Sequence, residues 1–429
     1  MMKKKGKVGI AMKTVRIALI GLGCRGSGLL TGILLPLGTQ ENGEKYQVNA
    51  VCDIYEDRTE AAASAVFDAT GVRPFAATDY RETLTREDID AVVIACAWED
   101  HVRIAIDAMK AGKAVAMEVG GAYRLSDCFD LVRTQEETGA PFMLLENCCY
   151  GRKELTVTRM VRAGKFGKIV HCAGGYQHDL RQEISYGKEN RHYRLRNYLS
   201  RNCENYPTHE LGPIAKLLDI NNGNRMVSLT STASLSAGLH EYILDRKPED
   251  KELAEAEFAQ GDVVTTVIRC ARGETITLTL DTTLPRFYSR GFTVRGTKGS
   301  YFEDIDAFFF DREHEKYEWD PTGLRGSAGQ YEAEWLHPLW GENKPQGSHG
   351  GMDWLVFCAF AEAMTGGHRM PVDVYDAASW MAVTALSEES IRNGNVPVEI
   401  PDFTAGKWEH RTDLPDFLYS LDRLPEKDR

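Results

Sequence analysis

A glycine-rich segment near the start of the chain constrains its fold more than any other feature. Residues 21–26 read Gly-Leu-Gly-Cys-Arg-Gly, which is the spacing G-x-G-x-x-G. The segment follows an apolar run, 15–20, that predicts a strand, and it precedes a helical pattern. In that context Gly21 permits a tight turn, Gly23 admits a pyrophosphate, and Gly26 lets the helix pack closely on the strand. The sequence therefore predicts a dinucleotide site at the start of a Rossmann domain.

The first third of the chain alternates strand and helix patterns. Further apolar runs predict strands at 48–52, 91–97, 114–117 and 142–145, with helices at 101–111 and 126–138. Strands that are apolar throughout and alternate with helices are typical of a doubly wound parallel sheet with both faces covered. We therefore expect residues 13–149 to form an NAD-binding Rossmann domain.

The pattern changes after residue 150. Thr- and Val-rich runs with partial alternation lie at 226–235, 263–270, 275–281, 292–295 and 300–302, with helical patterns at 153–163 and 374–392. Such runs joined by turns favour a mostly antiparallel sheet. Residues 150–429 are therefore predicted to form an α+β substrate-binding domain. Two polar segments, 183–205 and 313–351, are predicted to be long loops.

Composition limits the classes of partner and compartment. The 429 residues suffice for two cores, and 51 basic against 63 acidic residues give a net charge of −12. An acidic surface argues against nucleic acid or an anionic membrane as the main partner. No apolar stretch suggests a leader or a membrane span, so a cytoplasmic protein is expected. The ten cysteines lack a disulfide or zinc spacing, although the adjacent Cys148 and Cys149 leave redox chemistry open.

A carboxylate and an aromatic segment complete the predicted cofactor site. Asp53 ends the second predicted strand, where a carboxylate accepts hydrogen bonds from the adenosine ribose and favours NAD over NADP. Arg58 leaves NADP open because an arginine accommodates a 2′-phosphate, and Asp53 could instead cap the next helix. Trp98 and His101 follow the third strand at its carboxyl end, which faces the crevice, although Asp100 could simply cap a helix there.

Together with Glu118-Val119-Gly120 after a strand, these residues resemble the Gfo/Idh/MocA family. The resemblance implies a Rossmann domain followed by a domain with a large open, mostly antiparallel sheet. It also implies pairing of subunits, so a homo-oligomer is expected by analogy. Most members carry Glu-Lys-Pro at this position, and the lysine relays protons. Here Val119 replaces the lysine, so that relay is absent.

A closer resemblance, covering most of the chain after Gly21, is to glycoside hydrolase family 109, the NAD-dependent α-N-acetylgalactosaminidases. Short segments match in order at 118–119, 145–152, 176–181, 193–196, 206–209, 212–213, 288–290, 296–299, 349–353 and 373–378. The chain departs from the family at Glu210, where glycine is usual, and at Gly120-Gly121, where Pro-Ala is usual. It also lacks the secretion signal of many members, which bears on the compartment.

The resemblance implies which residues form the site. Those expected to line NAD are Cys24, Arg25, Asp53, Trp98, His101, Glu118, Val119 and Asn147. Those expected to line the sugar are Tyr176, Arg194, Tyr206, Thr208, His209 and Tyr288. The loop 183–205 would carry Arg194 as a lid.

The family mechanism implies a transient oxidation at carbon 3 of the sugar. The resulting ketone acidifies the carbon 2 proton, a base removes it, the glycosidic oxygen leaves from carbon 1, water adds, and the hydride returns. We expect His209 to be the base because histidine transfers protons near neutrality. Tyr206 would assist it, and Tyr150 would act near the carbon 3 oxygen. The expected activity is retaining hydrolysis of an α-N-acetylgalactosaminide or related glycoside.

Several of these residues could have simpler roles. His209 could be an ordinary residue at a helix start capped by Thr208, with His178 as the competing base. Tyr288 could serve packing alone. His192, in a basic run, is more typical of a solvated loop.

The same residues leave different chemistry open. Glu146 could pair with Glu118 or Asp179 for ordinary glycoside hydrolysis, but the dinucleotide motif would then have no explanation. A zinc site at His171, Cys172 and His178 is disfavoured because successive strand residues face opposite ways, and no metal is expected.

The rival functions are an NAD-dependent sugar or inositol dehydrogenase and a non-catalytic NAD-binding sensor.

Overall fold

Two sheets organise the chain. The computed structural model describes residues 13–314, 321–342, 345–411 and 414–422. One sheet has six parallel strands, and the other has eight strands that are mostly antiparallel. The predicted fold class is thereby confirmed. The boundary between 13–149 and 150–429 stays a prediction.

The parallel sheet forms from the predicted apolar runs and one short additional strand. Its strands are β1 (Val15–Ile20), β2 (Tyr46–Cys52), β3 (Phe75–Ala77), β4 (Ala91–Ile94), β5 (Ala114–Met117) and β6 (Phe142–Leu144). They lie in the order β3-β2-β1-β4-β5-β6. The chain direction across the sheet reverses between β1 and β4, and ligands of such sheets bind at the carboxyl ends of the strands at this point.

Helices cover both faces of this sheet. They are α1 (Cys24–Leu29), α2 (Leu35–Leu37), α3 (Glu56–Thr70), α4 (Tyr80–Leu84), α5 (Trp98–Lys110) and α6 (Leu125–Thr138), and a π turn at Leu30–Leu34 joins the first two. Helix α5 begins at Trp98, three residues before the predicted start, so Trp98 lies directly at the mouth of the crevice.

The second sheet contains the strands after residue 150. They are β7 (Ile169–Gln177), β8 (Met226–Ala233), β9 (Val263–Cys270), β10 (Thr275–Asp281), β11 (Thr293–Gly296), β12 (Gly299–Phe302), β13 (Ala307–Phe310) and β14 (Val398–Glu399). Their order is β13-β12-β11-β7-β10-β9-β8-β14, and β7 and β10 pair in parallel. Strand spacing was expected around residues 171–178, but β7 was not among the predicted strands of this sheet, because Gly174 and Gly175 lower the strand propensity of its centre.

The remaining helices lie in the part of the chain after residue 150. They are α7 (Arg152–Arg162), α8 (Arg181–Ser185), α9 (Arg194–Ser200), α10 (Thr208–Leu217), α11 (Gly238–Arg246), α12 (Lys251–Ala254), α13 (Glu332–Trp335), α14 (Pro338–Glu342), α15 (Met352–Gly366) and α16 (Val374–Arg392). The segment 183–205 is therefore partly helical. The segment 313–351 is also partly helical where the structure describes it. Its residues 315–320 and 343–344 lie outside the described residues.

The last two long helices return to the first sheet. The Tyr46 hydroxyl donates to the Phe357 carbonyl of α15 at 2.7 Å, and the Ala122 amide donates to the Met381 carbonyl of α16 at 3.3 Å. The cofactor edge and the second sheet therefore share one packed core. Within the described ranges, none of the helices combines the length and apolar character needed to cross a bilayer.

Candidate active site

The glycine loop adopts a conformation that only its glycines allow. Gly21 has φ +95°, and a Cβ there would lie 2.4 Å from the Cys96 amide nitrogen. A Cβ on Gly26 would lie 1.8 Å from the Gly21 carbonyl oxygen. Gly23 meets only the Arg58 guanidinium, at 3.5 Å, and is the N-cap of α1. The loop therefore leaves backbone N–H groups beside an open space that fits a pyrophosphate.

Asp53 lies beside this loop at the end of β2. Its Oδ2 accepts a hydrogen bond from the Leu22 amide at 2.7 Å, and its Oδ1 accepts one from the Tyr55 amide at 3.0 Å. Tyr55, not Asp53, is the N-cap of α3. The carboxylate thus fixes the loop against β2 where the ribose of a dinucleotide lies. Arg58 Nη1 is 3.9 Å from Asp53 Oδ2.

Arg25 joins three distant parts of the chain. Its guanidinium pairs with Glu118 at 2.7 Å and with Asp353 at 2.7 Å. Asn147 also donates to Asp353, at 2.7 Å, and His349 Nδ1 lies 2.8 Å from it. Asp353 is fully buried, and although burial opposes ionisation, Arg25 and His349 hold its pKa well below its usual range. In the sequence Asp353 is only one residue of a matching segment, because its role depends on contacts that sequence spacing does not reveal.

Trp98 and His101 stand on the first turns of α5. Trp98 is 5% exposed, and its indole lies against Gly120, where a Cβ would come within 2.6 Å of the ring. His101 Nε2 lies 3.0 Å from the Cys96 carbonyl oxygen. Burial lowers the pKa of His101 to about 4, so this imidazole is neutral near pH 7. His101 therefore shapes the crevice floor without carrying charge.

A buried histidine–carboxylate pair is the centre of the site. His209, in the first turn of α10, has Nδ1 2.9 Å from Glu146 Oε1, and Glu146 follows β6. His209 is 8% exposed and Glu146 is fully buried. Burial alone would raise the pKa of Glu146, but the attraction and hydrogen bond of His209 outweigh it and lower that pKa. Glu146 thus stays ionised and orients the imidazole.

The other ring nitrogen of His209 faces the pocket. Its Nε2 lies 3.3 Å from the Tyr206 hydroxyl. Because the ionised Glu146 can only accept, Nδ1 carries the proton of this hydrogen bond, which leaves the Nε2 lone pair free to accept one. Burial raises the pKa of Tyr206 well above its ordinary value, so its hydroxyl keeps its proton and acts as a donor.

Aromatic rings and one arginine form the pocket walls. The centroid of the Tyr176 ring lies 4.4 Å from that of Tyr206 and 5.6 Å from that of His209. The ring centroids of Trp98 and Tyr206 are 5.3 Å apart. Arg194 Cζ lies 4.8 Å from the Trp98 ring and 5.3 Å from the Tyr206 ring. Its Nε lies 2.7 Å from Glu183 Oε1 as an ion pair, but neither Nε nor Nη1 makes a hydrogen bond within the described part of the chain. A buried guanidinium nitrogen without a partner suits a polar ligand.

The rim of the pocket contains a second histidine. His178 Nδ1 lies 3.0 Å from the Tyr176 hydroxyl, and the Tyr288 ring lies 5.1 Å from the His178 ring. Tyr288 is 50% exposed. His178 therefore contacts Tyr176 and Tyr288, while His209 lies deeper, against the buried Glu146.

Two family models match this chain. Residues 150–410 match the C-terminal domain of glycosyl hydrolase 109, and residues 15–145 match the oxidoreductase family with an NAD-binding Rossmann fold. The chain belongs to glycosyl hydrolase family 109. The first domain is an NAD-binding Rossmann fold, as the glycine loop predicted.

Curated members of family 109 are similar over nearly their whole length. A glycosyl hydrolase family 109 protein of Stenotrophomonas maltophilia (strain K279a) is 39% identical, covering 93% of this chain and 91% of its own. The alpha-N-acetylgalactosaminidase of Tannerella forsythia is 36% identical, covering 95% of this chain and 90% of its own.

Two solved structures with the same fold, at far lower identity, are named as a dehydrogenase and a dehydrogenase homologue. Levoglucosan dehydrogenase in complex with NADH and levoglucosan has a TM-score of 0.64 at 17% identity, covering 90% of this chain and 100% of its own. An inositol dehydrogenase homologue from Azotobacter vinelandii, complexed with NADH and myo-inositol, has a TM-score of 0.63 at 16% identity, covering 90% of this chain and 98% of its own. At this identity the likeness establishes the fold alone.

Two of the residues predicted for the site are fully buried in this chain and face other groups. Tyr150 is fully buried, and its hydroxyl donates to the Tyr419 carbonyl at 2.9 Å, so it has no free donor for a sugar oxygen. Thr208 is also fully buried, and its side chain lies against Glu146 beneath the pocket. Tyr150 was placed in the site by its position after Asn147 and Thr208 by the family resemblance, whereas the fold directs these side chains to Tyr419 and Glu146.

The carboxylates considered for ordinary glycoside hydrolysis each have another partner. Glu118 pairs with Arg25, Asp179 pairs with Arg181 at 2.7 Å, and Glu146 pairs with His209. This arrangement leaves the role of orienting His209 to Glu146. Sequence spacing does not indicate that role, since the pair joins residues 63 positions apart.

Three potential metal ligands also meet here. Atoms of Glu146, Cys148 and His209 lie within 4.8 Å of one another. Burial raises the pKa of the Cys148 thiol well above its ordinary value, which disfavours the thiolate that a metal prefers. The predicted absence of a metal stays a prediction.

Proposed function

We propose that this family 109 protein is a retaining NAD-dependent glycosidase that acts on α-N-acetylgalactosaminides or closely related glycosides. The observation that carries the proposal is the buried Glu146–His209 pair, which faces an aromatic pocket beside the cofactor crevice. The T. forsythia relative named alpha-N-acetylgalactosaminidase suggests the substrate class.

The residues around the crevice fit NAD. The cradle formed by Gly21, Gly23 and Gly26 excludes side chains where a pyrophosphate lies, and Asp53 faces the ribose position. Bound NAD supplies the removal and return of a hydride at carbon 3 of the sugar. That oxidation acidifies the proton on carbon 2, which allows a neighbouring base to act.

His209 is the proposed base for the carbon 2 proton. Its Nε2 faces the pocket, and its Nδ1 proton is held by Glu146, which stabilises the imidazolium that forms. The Tyr206 hydroxyl beside Nε2 donates to a sugar oxygen. Arg194 Nη1 binds a sugar hydroxyl or the acetamido oxygen, since this nitrogen is buried and unpartnered among the described residues.

Proton exchange at carbon 2 tests this proposal directly. The protein is incubated with an aryl α-N-acetylgalactosaminide in D2O, and the released sugar is analysed by mass spectrometry and NMR. We expect one deuteron at carbon 2, an α-configured initial product and no accumulation of NADH. Hydrolysis without deuterium at carbon 2 would refute the oxidation-first route.

The same assay separates the rival functions. Steady accumulation of NADH with a free sugar would select a dehydrogenase, for which the family relay lysine is missing at Val119. No turnover on a broad glycoside panel, with NAD bound, would select a sensor.

We further propose that the protein is a cytoplasmic homo-oligomer. All ten cysteines carry free thiols, which suits a reducing compartment. The second sheet leaves alternate residues of β9 exposed, including Val267 at 45%, and such an open face suits pairing of subunits. Light scattering at several protein concentrations tests the assembly, and a monomer at all concentrations would contradict it.

A further inference from the structure

The segment that carries Arg194 also crosses the cofactor crevice. Residues 186–201, which we call the strap, follow α8 and include α9. The strap belongs to the second half of the chain, yet its contacts reach the first sheet at several points.

One end of the strap contacts the residues that follow Asp53. The guanidinium of Arg191 donates twice to the Asp57 carboxylate, at 2.9 and 2.7 Å. The same guanidinium lies over the Tyr55 ring, with Cζ 4.3 Å from the ring centroid. Tyr55 and Asp57 come just after the carboxylate at the ribose position. This end therefore closes the adenosine side of the crevice.

The next contact lies over the glycine loop. Arg58 Nη2 donates to the Asn190 carbonyl at 3.0 Å. Arg58 Nη1 is also the nearest atom to the open side of Gly23. A single guanidinium thus connects the strap backbone to the loop that cradles a pyrophosphate.

The other end of the strap covers the mouth of β4 and β5. The Tyr193 ring lies 4.8 Å from the Trp98 ring, and Arg196 forms an ion pair with Glu99. The Tyr123 hydroxyl donates to Asn197 Oδ1 at 2.7 Å. These contacts lie beside Gly120, on the side of the crevice that adjoins the sugar pocket.

The contacts of the strap lie in order along one edge of the parallel sheet. They follow the carboxyl ends of β2, β1, β4 and β5, which are successive neighbours in the sheet. A dinucleotide at the switch point between β1 and β4 lies along the same line. The strap therefore runs over the length of the crevice, and a bound dinucleotide leaves only after the strap lifts.

We propose that the strap retains NAD through successive turnovers, with the Arg191–Asp57–Tyr55 contact as its clasp. A dehydrogenase that yields free NADH releases its reduced cofactor in each cycle. A reaction that returns its hydride to the same sugar has no need for release, so slow exchange serves it. The inference depends on NAD binding and the observed contacts, and it goes beyond the proposed glycosidase reaction.

Exchange of labelled NAD tests retention without any turnover. Protein loaded with radiolabelled NAD is chased with unlabelled NAD, and the label retained after rapid desalting is followed with time. We expect Arg191→Asp, which removes the ion pair and the ring contact and repels Asp57, to release the label about tenfold faster than the wild type. Arg191 and Asp57 side chains are 38% and 62% exposed, so these substitutions do not disturb the core.

Two further variants make the test specific. Lys188→Asp is the matched control, because Lys188 lies in the strap but pairs with Glu252 of its own domain at 2.7 Å, and it should release NAD at the wild-type rate. The double variant with Arg191→Asp and Asp57→Arg, which re-forms the ion pair with its charges swapped, should restore slow release of NAD. Wild-type release by Arg191→Asp, fast release by the exchanged pair, or loss of all label from the wild type in the first desalting step would each overturn the proposal.

The outcomes also separate the two proposals. Retention of NAD by a protein that hydrolyses no glycoside would leave the strap inference standing and remove the glycosidase. Rapid loss of NAD by a protein that hydrolyses glycosides with exchange at carbon 2 would do the opposite.

Discussion

Two adjacent residues at the start of α10 face opposite regions of the molecule. His209 faces the pocket and pairs with the buried Glu146. Glu210 faces the second sheet, where it is equally buried beside Arg290. The pKa of Glu146 is lowered by His209, whereas burial raises the pKa of Glu210 well above its ordinary value. Burial alone therefore does not decide whether a carboxyl is charged; its partner does.

The Glu210 region lacks a sufficient partner. Arg290 forms a close ion pair with Glu154, while Glu210 and Glu303 each lie 3.8 Å from its guanidinium. Three carboxyls thus share one cation, and the pKa of Glu303 is also raised by burial. Glu210 consequently holds its proton. On one side of α10 the partner of a buried carboxyl keeps it ionised, and on the other side burial keeps a carboxyl protonated.

The largest expected difference between the two regions is in catalysis. Glu146→Gln removes the charge that orients His209, so we expect kcat/KM on an aryl α-N-acetylgalactosaminide to fall about 10³-fold. Glu210→Gln replaces an uncharged carboxyl by an uncharged amide and should change kcat/KM by less than about twofold. Steady-state kinetics on protein of verified NAD content measures both. Equal losses of kcat/KM in Glu146→Gln and Glu210→Gln would contradict the expected difference between the two regions.

Substitution of Arg194 should affect substrate binding, whereas substitution of Arg290 should affect the free energy of unfolding. Arg194→Lys loses the planar group stacked on Trp98, so KM should rise about tenfold with little change in unfolding free energy. Arg290→Lys leaves the carboxyls imperfectly paired and should lower the free energy of unfolding by about 3 kcal/mol, with KM within about twofold of wild type. Kinetics and urea unfolding of both variants give the answer. If KM changed as much in Arg290→Lys as in Arg194→Lys, the Glu210 region would also contribute to substrate binding, which would contradict this prediction.

Much of the cofactor half could be predicted from the sequence, because its signals are local. The G-x-G-x-x-G segment, Asp53 and Trp98 each follow a strand, and parallel strands bring such positions to one edge. The sugar half required the family resemblance to place Arg194 and His209 together, since nothing in the spacing of residues 146 and 209 indicates their contact.

The predictions failed where long-range packing decides. Tyr150 follows Asn147 in sequence, which predicts a place in the site, but the 3₁₀ turn Asn147–Tyr150 directs its hydroxyl to Tyr419. Strand β7 was not among the predicted strands of the second sheet, because the reason for its two glycines lies in neighbours on other elements: a Cβ on Gly174 would lie 2.0 Å from Glu210 Cγ. The departure at Glu210 was visible in the sequence, but its environment was not.

The opposite pKa shifts predict opposite pH dependences of stability. The folded pKa of Glu210 is raised, so its contribution is present below the unfolded pKa of about 4.3 and is lost as pH rises. The stability of Glu210→Gln relative to wild type should therefore increase with rising pH, by at most about 1.4 kcal/mol per pH unit.

The folded pKa of Glu146 is lowered, so its contribution is present above the unfolded pKa and is lost as pH falls through the folded value. Glu146→Gln should therefore be less stable than wild type near neutrality, and this deficit should shrink in acid. Urea unfolding of both variants from about pH 2.5 to about pH 8, which covers both sides of the unfolded carboxyl pKa of about 4.3, measures the two slopes. Slopes of the same sign would contradict the assigned charge states.

The smallest expected effect concerns the packing that admits Glu210. Gly174→Ala places a Cβ 2.0 Å from Glu210 Cγ and 2.7 Å from its Cβ, so it should lower the free energy of unfolding by about 1–2 kcal/mol. In a Glu210→Gly background those atoms are absent, and the same substitution should cost less than about 0.5 kcal/mol. A double-mutant cycle by urea unfolding measures the coupling, with kcat/KM expected to stay near wild type throughout. Additive effects would mean that the strand relaxes independently of Glu210, and the cluster would then not be the reason for glycine at this position.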